Sequence, residues 1–517
     1  MTFPILPSNS AVGGYQVQRS LRFNSADSAY LNRTFTTPTS STVWTLSLWI
    51  KRGLLTGTYR LFGASTTTYL TFNSSDQLNL TLNGTSAATS TAVFRDPSAW
   101  YHVVYQQNGA AQTIYVNNSS VATGTTAASV FNTAITHQLG AANTSNYFNG
   151  YMAEVNFIDG QALTPSSFGE TNGTTGQWQP KEYTGTYGTN GFYLNFSDNS
   201  GTTATTLGKD YSGNGNNWTP NNFSVTPGAG NDSMIDVPTN WADGGNGRGN
   251  YAVMNPLFAP QTSVASSSTG TAPTLSNGNL TVTAAGGSVQ TSSVGTIGVT
   301  TGKWYCEYIA TAVNSTNDLF GFIQTFNGSN AFNGYRSNGI IYNQGATTTG
   351  FATWTVGDVI GMALDCDAGT LACYKNNTLI STVTITGGVT APMFPHVWFR
   401  DASGAGSVNF GQRPFAYTPP SGFKALNTQN IAAGTITTSG TFTGDVNADG
   451  PFVWLNGVPT AMTINGNAVT FGTHADKLSS GFKVRTSSTS YNNTGSNTYS
   501  ITTTGATFKV ANAQGNP

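Results

Sequence analysis

Charge is scarce in this sequence. Of 517 residues only 8% are Asp, Glu, Lys or Arg, and the formal net charge is −1. A nucleic-acid binder needs a basic face to neutralise phosphates, and so few cations cannot build one. Cysteine is scarcer still. Cys306, Cys366 and Cys373 form an odd set of three, which is not a disulfide framework and has no zinc-knuckle spacing. No apolar run reaches the roughly 18 residues of a membrane-spanning helix, so membrane insertion is not expected. The opening, MTFPILPSNS, lacks the charged segment and apolar run of a secretory signal. The chain is therefore expected to be made in a cytoplasm. Helical periodicity is nearly absent, and neither a P-loop nor a G-x-S-x-G elbow occurs. GGNGRGNY at 244–251 lacks the last glycine of a dinucleotide fingerprint and no helix follows it, so it reads as a turn.

Period-two alternation is present throughout. In WTLSLWI, Trp44, Leu46, Leu48 and Ile50 point one way and Thr45, Ser47 and Trp49 the other. That pattern predicts a strand with one buried face. WYHVVYQQNGAAQTIYVNN predicts two strands around Asn108-Gly109. Aromatics reach 12%, which supports real cores, and Gly, at 60 residues, supplies turns. The expectation is an all-β protein of tandem β-sandwiches (jelly rolls) with a small C-terminal β-domain. Its divisions are an N-terminal segment 1–20, a sandwich 21–165, an ordered Gly/Asn/Thr-rich connector 166–235, a second sandwich 236–424 and the C-terminal domain 425–517. Pro419-Pro420 cannot continue a central strand and marks the last boundary. Within that domain, Asn456-Gly457 and Asn465-Gly466 read as hairpin turns.

Two blocks resemble known families. SLRFNSADSAYLNRTF, TLSLWIKR, WYHVVYQQNGAAQTIYVNN and YFNGYMAEVNFIDGQALTPSSF follow the strand order of laminin-G/concanavalin-like lectin sandwiches. That resemblance implies a jelly roll that often binds carbohydrate. TGKWYCEY, FGFI, GDVIGMALDCDAGTLACYKNN, MFPHVWF and VNFGQRPF resemble SPRY domains. This implies a second sandwich that usually binds a partner through loops and has no catalytic residues. Two such sandwiches in one neutral, Thr/Asn-rich chain resemble tailed-phage virion proteins, of tail-fibre, adsorption or head-surface type. The resemblance implies a place on the virion surface, host surface glycan and other virion proteins as partners, and a homo-oligomer, with a trimer as the fibre-like form.

Candidate chemistry is sparse. Glycosidases place two carboxyl groups across the scissile bond. In EVNFID at 154–159, Glu154 and Asp159 are five apart and face opposite sides of a regular strand, unless a bulge intervenes. Binding without catalysis is the expectation, with Glu154 in a structural hydrogen bond. A depolymerase is the alternative. His102, His137, His396 and His474 have no ligand spacing, and those in strands read as structural. DCDAGT at 365–370 reads as a turn capped by Asp365 and Asp367 and closed at Gly369, with a Cys366–Cys373 disulfide not favoured. Glycan sites combine aromatic platforms with amides. Loop segments with that mix offer Asn333, Tyr335 and Arg336, then Asn146 and Tyr147, then Tyr211, Asn216 and Trp218. In GDVNADGPF, Asp445, Asn447 and Asp449 match half of a calcium loop, but position twelve is Asn456 and no helices flank it. Either these residues hold Ca2+ or they form the turn that opens the C-terminal domain. No other cofactor is indicated.

Overall fold

In the computed structural model, the described residues are 15–431 without 127–129, 173–175, 242–246, 259–270, 286–289, 314–317, 325–331 and 401–403, together with the backbone of six strands between 435 and 504. They contain no α-helix. One compact unit takes in Tyr15–Gly169 and Pro180–Asn430, and a second takes in Glu170–Gln179 and Ile431–Pro517.

Twelve strands begin the first unit: β1 (Ser20–Phe23), β2 (Tyr30–Thr34), β3 (Val43–Arg52), β4 (Tyr59–Ser65), β5 (Thr68–Phe72), β6 (Leu78–Leu82), β7 (Thr85–Thr89), β8 (Trp100–Asn108), β9 (Ala111–Val116), β10 (Ser119–Gly124), β11 (Thr136–Leu139) and β12 (Gly150–Asp159). One sheet runs β10-β9-β8-β3-β12-β1 and ends on Ser233–Met234, with Phe192–Leu194 also paired to β12. The other runs Thr219–Asn221, β2, β11, β4, β5, β6, β7. Residues of the expected connector thus supply strands to both sheets. Asparagine makes the tight turns. Asn117 and Asn118 both take positive φ (47° and 70°) between β9 and β10, as a two-residue hairpin that follows the strand twist requires. Gly109 takes φ 62° after β8, at the predicted turn.

Between the sheets the alternate residues Trp44, Leu46, Leu48 and Ile50 enter the core with Phe62, Phe157 and Phe192. The other face of β3 is buried too, which alternation does not predict. Ser47 Oγ lies 2.8 Å from His102 Nε2, and Trp49 stacks on His102 at 4.8 Å. A satellite cluster of Val104, Ile158 and Phe168, with Tyr183 and Tyr187 beside it, covers part of this outer face. The second sandwich covers more of it. Its sheets run Thr274–Ser276, Thr281–Thr283, Ala405–Asn409, Lys303–Ala312, Val359–Asp365, Thr370–Lys375, Thr378–Thr384, and Thr291–Val294, Phe394–Phe399, Leu319–Ile323, Phe332–Arg336, Ile341–Asn343, Ala346–Thr348.

The contact between the sandwiches is polar and buried. Lys51 Nζ, fully buried, donates to Asp236 Oδ2 at 2.8 Å, to Asn250 Oδ1 at 2.8 Å and to the Tyr251 carbonyl at 2.7 Å. Trp100 Nε1 and the Tyr251 amide donate to Asp236 Oδ1 at 3.1 and 3.3 Å. Arg22 Nη1 donates to the Asn277 carbonyl at 3.4 Å, Tyr151 donates to the Gly278 carbonyl at 2.8 Å and Asn279 to the Gly53 carbonyl at 3.0 Å. Gly278, at φ 63°, packs so closely on Tyr151 that a Cβ would sit 2.4 Å from its hydroxyl.

In the second unit, Thr435–Thr443, Ser496–Thr504, Pro459–Ile464 and Asn467–Ala468 form one sheet, and Phe452–Trp454 pairs with Gly481–Lys483. Ile464 pairs with Asn467, the register expected of a hairpin there, and Asn465-Gly466 itself lies outside the described residues. The strands on either side of Asn456-Gly457 enter different sheets, and Asn456-Gly457 itself lies outside the described residues. The pairing needs of Phe452–Trp454 are met at long range instead.

Candidate functional site

The outer face of the seven-stranded sheet carries amides, hydroxyls and tyrosines. Tyr30, Asn32 and Thr34 alternate outward on β2 while Leu31 is buried in the core. Asn221 pairs in register with Tyr30 and Thr219 with Asn32, while Gln138 and Thr136 of β11 pair with Asn32 and Thr34. The Asn221 amide nitrogen donates to Asn32 Oδ1 at 2.7 Å.

A loop, residues 140–149, folds onto this face. It does so because Gly63 of β4 leaves room: a Cβ there would meet Ala142 Cβ at 2.1 Å and the Ala141 carbonyl at 2.8 Å. Asn143, Thr144 and Asn146 all take positive φ, near 50°, which asparagine tolerates better than most residues. Arg60 fixes the loop from below. Its Nη1 donates to the Ala142 carbonyl at 2.7 Å and to Ser145 Oγ at 2.6 Å, and its guanidinium lies 4.1 Å from the centre of the Tyr69 ring. The Arg60 amide donates to the Asn146 carbonyl at 2.8 Å, and the Thr144 amide to Gln138 Oε1 at 3.1 Å. Phe148 anchors the far end in the core, 5.9 Å from Phe23. The loop therefore presents Asn146, exposed, beside Tyr147, half-buried, with the Tyr147 ring 6.0 Å from Tyr30 at 41°.

Of the residues singled out in the sequence, Asn146 and Tyr147 come together here. Trp218 does not join them. It is fully buried in the core, 4.8 Å from Phe192, so its reading as a sugar platform is corrected to packing. Asn216 is buried, with its amide nitrogen on the Gly191 carbonyl at 2.7 Å, and Tyr211 accepts from Ser197 Oγ at 2.9 Å. Asn333, Tyr335 and Arg336 lie on the strand Phe332–Arg336 and not on a loop. Period two sends Asn333 and Tyr335 inward, both fully buried, with the Tyr335 hydroxyl on the Ala352 carbonyl. Arg336 alone faces outward, 4.5 Å from the Tyr342 ring centre and 5.4 Å from that of Trp398. Those three do not form one site. Asp445, Asn447 and Asp449 lie outside the described residues. Sequence reading missed Tyr30, Asn32, Asn221, Arg60 and Gly63. Only the alternation in YLNRT hinted at the first two, and the pairing of β2 with a segment nearly 190 residues away was not legible.

The acidic strand has a bulge after all. The register of β12 against β3 slips between Ala153 and Asn156, and Glu154 takes φ 51°. Met152 and Val155 both enter the core, three residues apart, so the extra residue turns Glu154 to the outer face. It does not meet Asp159. That carboxylate accepts from the amides of Thr39, Ser40 and Asn190 and from Asn132 Nδ2, at 2.7–3.1 Å. Glu154 Oε2 accepts from Tyr15 at 2.8 Å and Tyr193 at 2.7 Å, the structural role expected of it. Burial pushes this carboxyl up to about 7 from its ordinary value, against the two tyrosine hydrogen bonds. Between the two values the unfolded chain has lost the proton and the folded chain keeps it. Stability should therefore fall as pH rises from about 4.5 to about 7, by roughly 3 kcal/mol from this group. Glu154→Gln should flatten that slope in urea titrations across the window. An unchanged slope would refute the assignment.

The remaining readings concern single groups. Burial pushes His102 and His396 down to about 3, and each shares a bond with a serine hydroxyl, Ser47 or Ser292, as expected of structural histidines. Asp365 accepts from the Ala368 amide and Gly369 takes φ 62°, as the predicted turn requires, whereas Asp367 does not cap it and accepts instead from the distant Gly302 amide. Cys306, Cys366 and Cys373 are free and buried.

Comparison with known proteins agrees with this architecture. Residues 23–167 match the family described as the concanavalin A-like lectin/glucanases superfamily, and residues 286–413 match the SPRY domain family. A search of curated proteins returned no match. Solved structures similar to parts of the chain include the SPRY domain of human HERC1, 21% identical over 26% of this chain and 91% of that one, with a TM-score of 0.24. A heptameric SAP-like pentraxin of Limulus polyphemus is 18% identical over 29% of this chain and 80% of that one, TM-score 0.24. Domain 4 of the arabinanase AbnA of Geobacillus stearothermophilus, in complex with arabinotriose, is 24% identical over 25% of this chain and 65% of that one, TM-score 0.22. Within one all-β unit the chain thus carries two matched regions, 23–167 of the concanavalin A-like lectin/glucanases type and 286–413 of the SPRY type.

Proposed function

We propose that this chain binds glycans without cleaving them, through the face built by β2, β11 and the 140–149 loop. We propose further that it does so on the surface of a tailed phage, as a homo-oligomeric tail-fibre or adsorption component contacting host surface glycan. The observation that carries the binding reading is the pair Tyr30 and Tyr147, half-buried and 6.0 Å apart, with Asn146, Asn32 and Asn221 beside them. Tyrosines fixed at their bases offer ring faces to sugar C–H groups, and amides match hydroxyls as donor and acceptor. The lectin-superfamily match covers every one of these residues except Asn221. Binding is favoured over cleavage because Glu154 and Asp159 sit on opposite faces and Asp159 is saturated with donors. The neutral, Thr/Asn-rich composition supports the virion assignment.

Full-length protein on a glycan array should bind a defined subset of saccharides, and Tyr147→Ala should weaken that binding at least tenfold without lowering the melting temperature. Retention of full affinity by the variant would refute the site. Release of reducing sugar from a bound polysaccharide would convert the reading to a depolymerase. A particle map placing the chain on the head and not the tail would favour a decoration protein.

A further inference from the structure

We infer that the site reads a short, uncharged saccharide epitope of one or two residues, and not the interior of an extended or acidic polysaccharide. This rests on the glycan-binding reading above. A long chain lying across a β-sheet needs an open path over many strands. Here the path is closed. The 140–149 loop sits on the sheet at Gly63, where Ala142 occupies the space a side chain would take, and the Thr144 amide caps Gln138. Gln138 pairs with Gly63, so the loop crosses the middle of the seven-stranded sheet.

What remains open on the β2 side spans Thr219–Asn221, β2 and β11, two strand spacings or about 10 Å. That width accommodates roughly two sugar rings. On the far side, Asn79 donates to Ser86 Oγ and Thr89 Oγ1 at 2.7 Å and accepts from Thr81 at 2.9 Å, so those groups already satisfy one another. Tyr147 forms the wall of the open half and Tyr30 its floor. The charge argument is independent. Tyr30, Asn32, Gln138, Asn146, Tyr147, Thr219 and Asn221 are all uncharged. The nearby cation, Arg60, is 7% exposed and is held by Ala142, Ser145 and the Tyr69 ring. Arg33, on the same strand, turns the other way onto Asn216 and the Phe35 ring. A carboxylate-bearing sugar would be desolvated here with no exposed cation on this face among the described residues to meet it.

The test is isothermal titration of the full chain with neutral mono-, di- and hexasaccharides and with a uronic-acid disaccharide. Affinity should level off at the disaccharide, with the hexasaccharide within about threefold of it, and the acidic sugar should bind at least tenfold more weakly. Tyr30→Ala should weaken disaccharide binding at least tenfold. Affinity that climbs steadily to the hexasaccharide, or preference for the acidic sugar, would overturn this inference while leaving glycan binding intact. Failure to bind any saccharide would overturn the glycan-binding reading itself, and this inference with it. Gly63→Val adds a second check. Its side chain cannot coexist with Ala142, so the displaced loop should abolish the plateau, and an unchanged length profile in the folded variant would also overturn the inference.

Discussion

Replacing Asp236 by alanine should destabilise the first unit by about 3–5 kcal/mol, the loss typical when one partner of a buried ion pair is removed. Lys51 has no exposed surface, and its three donors are spent on Asp236, Asn250 and the Tyr251 carbonyl. Burial pushes the Lys51 ammonium down and the Asp236 carboxyl up, and each opposes the shift of the other. Without the carboxylate, the ammonium stays in a buried site with two neutral acceptors, or loses its proton. Trp100 Nε1 and the Tyr251 amide lose their acceptor as well. Urea unfolding of the variant measures the effect, and a loss under about 1 kcal/mol would show that water reaches the pair. Lys51→Met combined with Asp236→Leu should recover most of the stability, since apolar replacement of both charges removes their desolvation cost. A double variant as unstable as Asp236→Ala would place the contribution in the surrounding hydrogen bonds instead.

Trp218→Ala should cost about 3–5 kcal/mol by opening a cavity in the first core. The indole is fully buried among Phe35, Phe62 and Phe192, with ring centres at 6.1, 6.4 and 4.8 Å. Its residue lies well past the expected end of the first sandwich, so the same substitution tests whether the connector belongs to that core. Thermal unfolding of the variant gives the stability loss, and saccharide binding by its folded fraction should be nearly normal. A variant with unchanged stability and lost binding would restore Trp218 to the sugar site. Tyr147→Ala should behave in the reverse way, so the two variants separate packing from recognition.

Much of the architecture was legible locally. WTLSLWI, the Asn-rich turns and DCDAGT each carry their structure in a few residues, because strand alternation and positive-φ turns are short-range physics. Asn146 and Tyr147 were legible by composition. Asn333, Tyr335 and Trp218 were misread because an aromatic-and-amide stretch looks the same whether it lies in a loop or enters a core. Facing is set by register with distant strands, and a shift of one residue reverses it. Glu154 shows this directly: the bulge at Ala153–Asn156 decides its face, and nothing in EVNFID announces a bulge.

By itself the sequence determined the class of protein: all-β, nearly uncharged, with two sandwich domains. Those follow from periodicity, turn chemistry and composition, which every segment carries within itself. Only the tertiary structure decided that residues 192–194, 219–221 and 233–234 complete the first sandwich and that both faces of β3 are buried. It also decided that one glycine, Gly63, gives the 140–149 loop its seat. Each of these depends on contacts between residues far apart in the chain, whose mutual fit is a property of the packed surfaces and not of any stretch read alone.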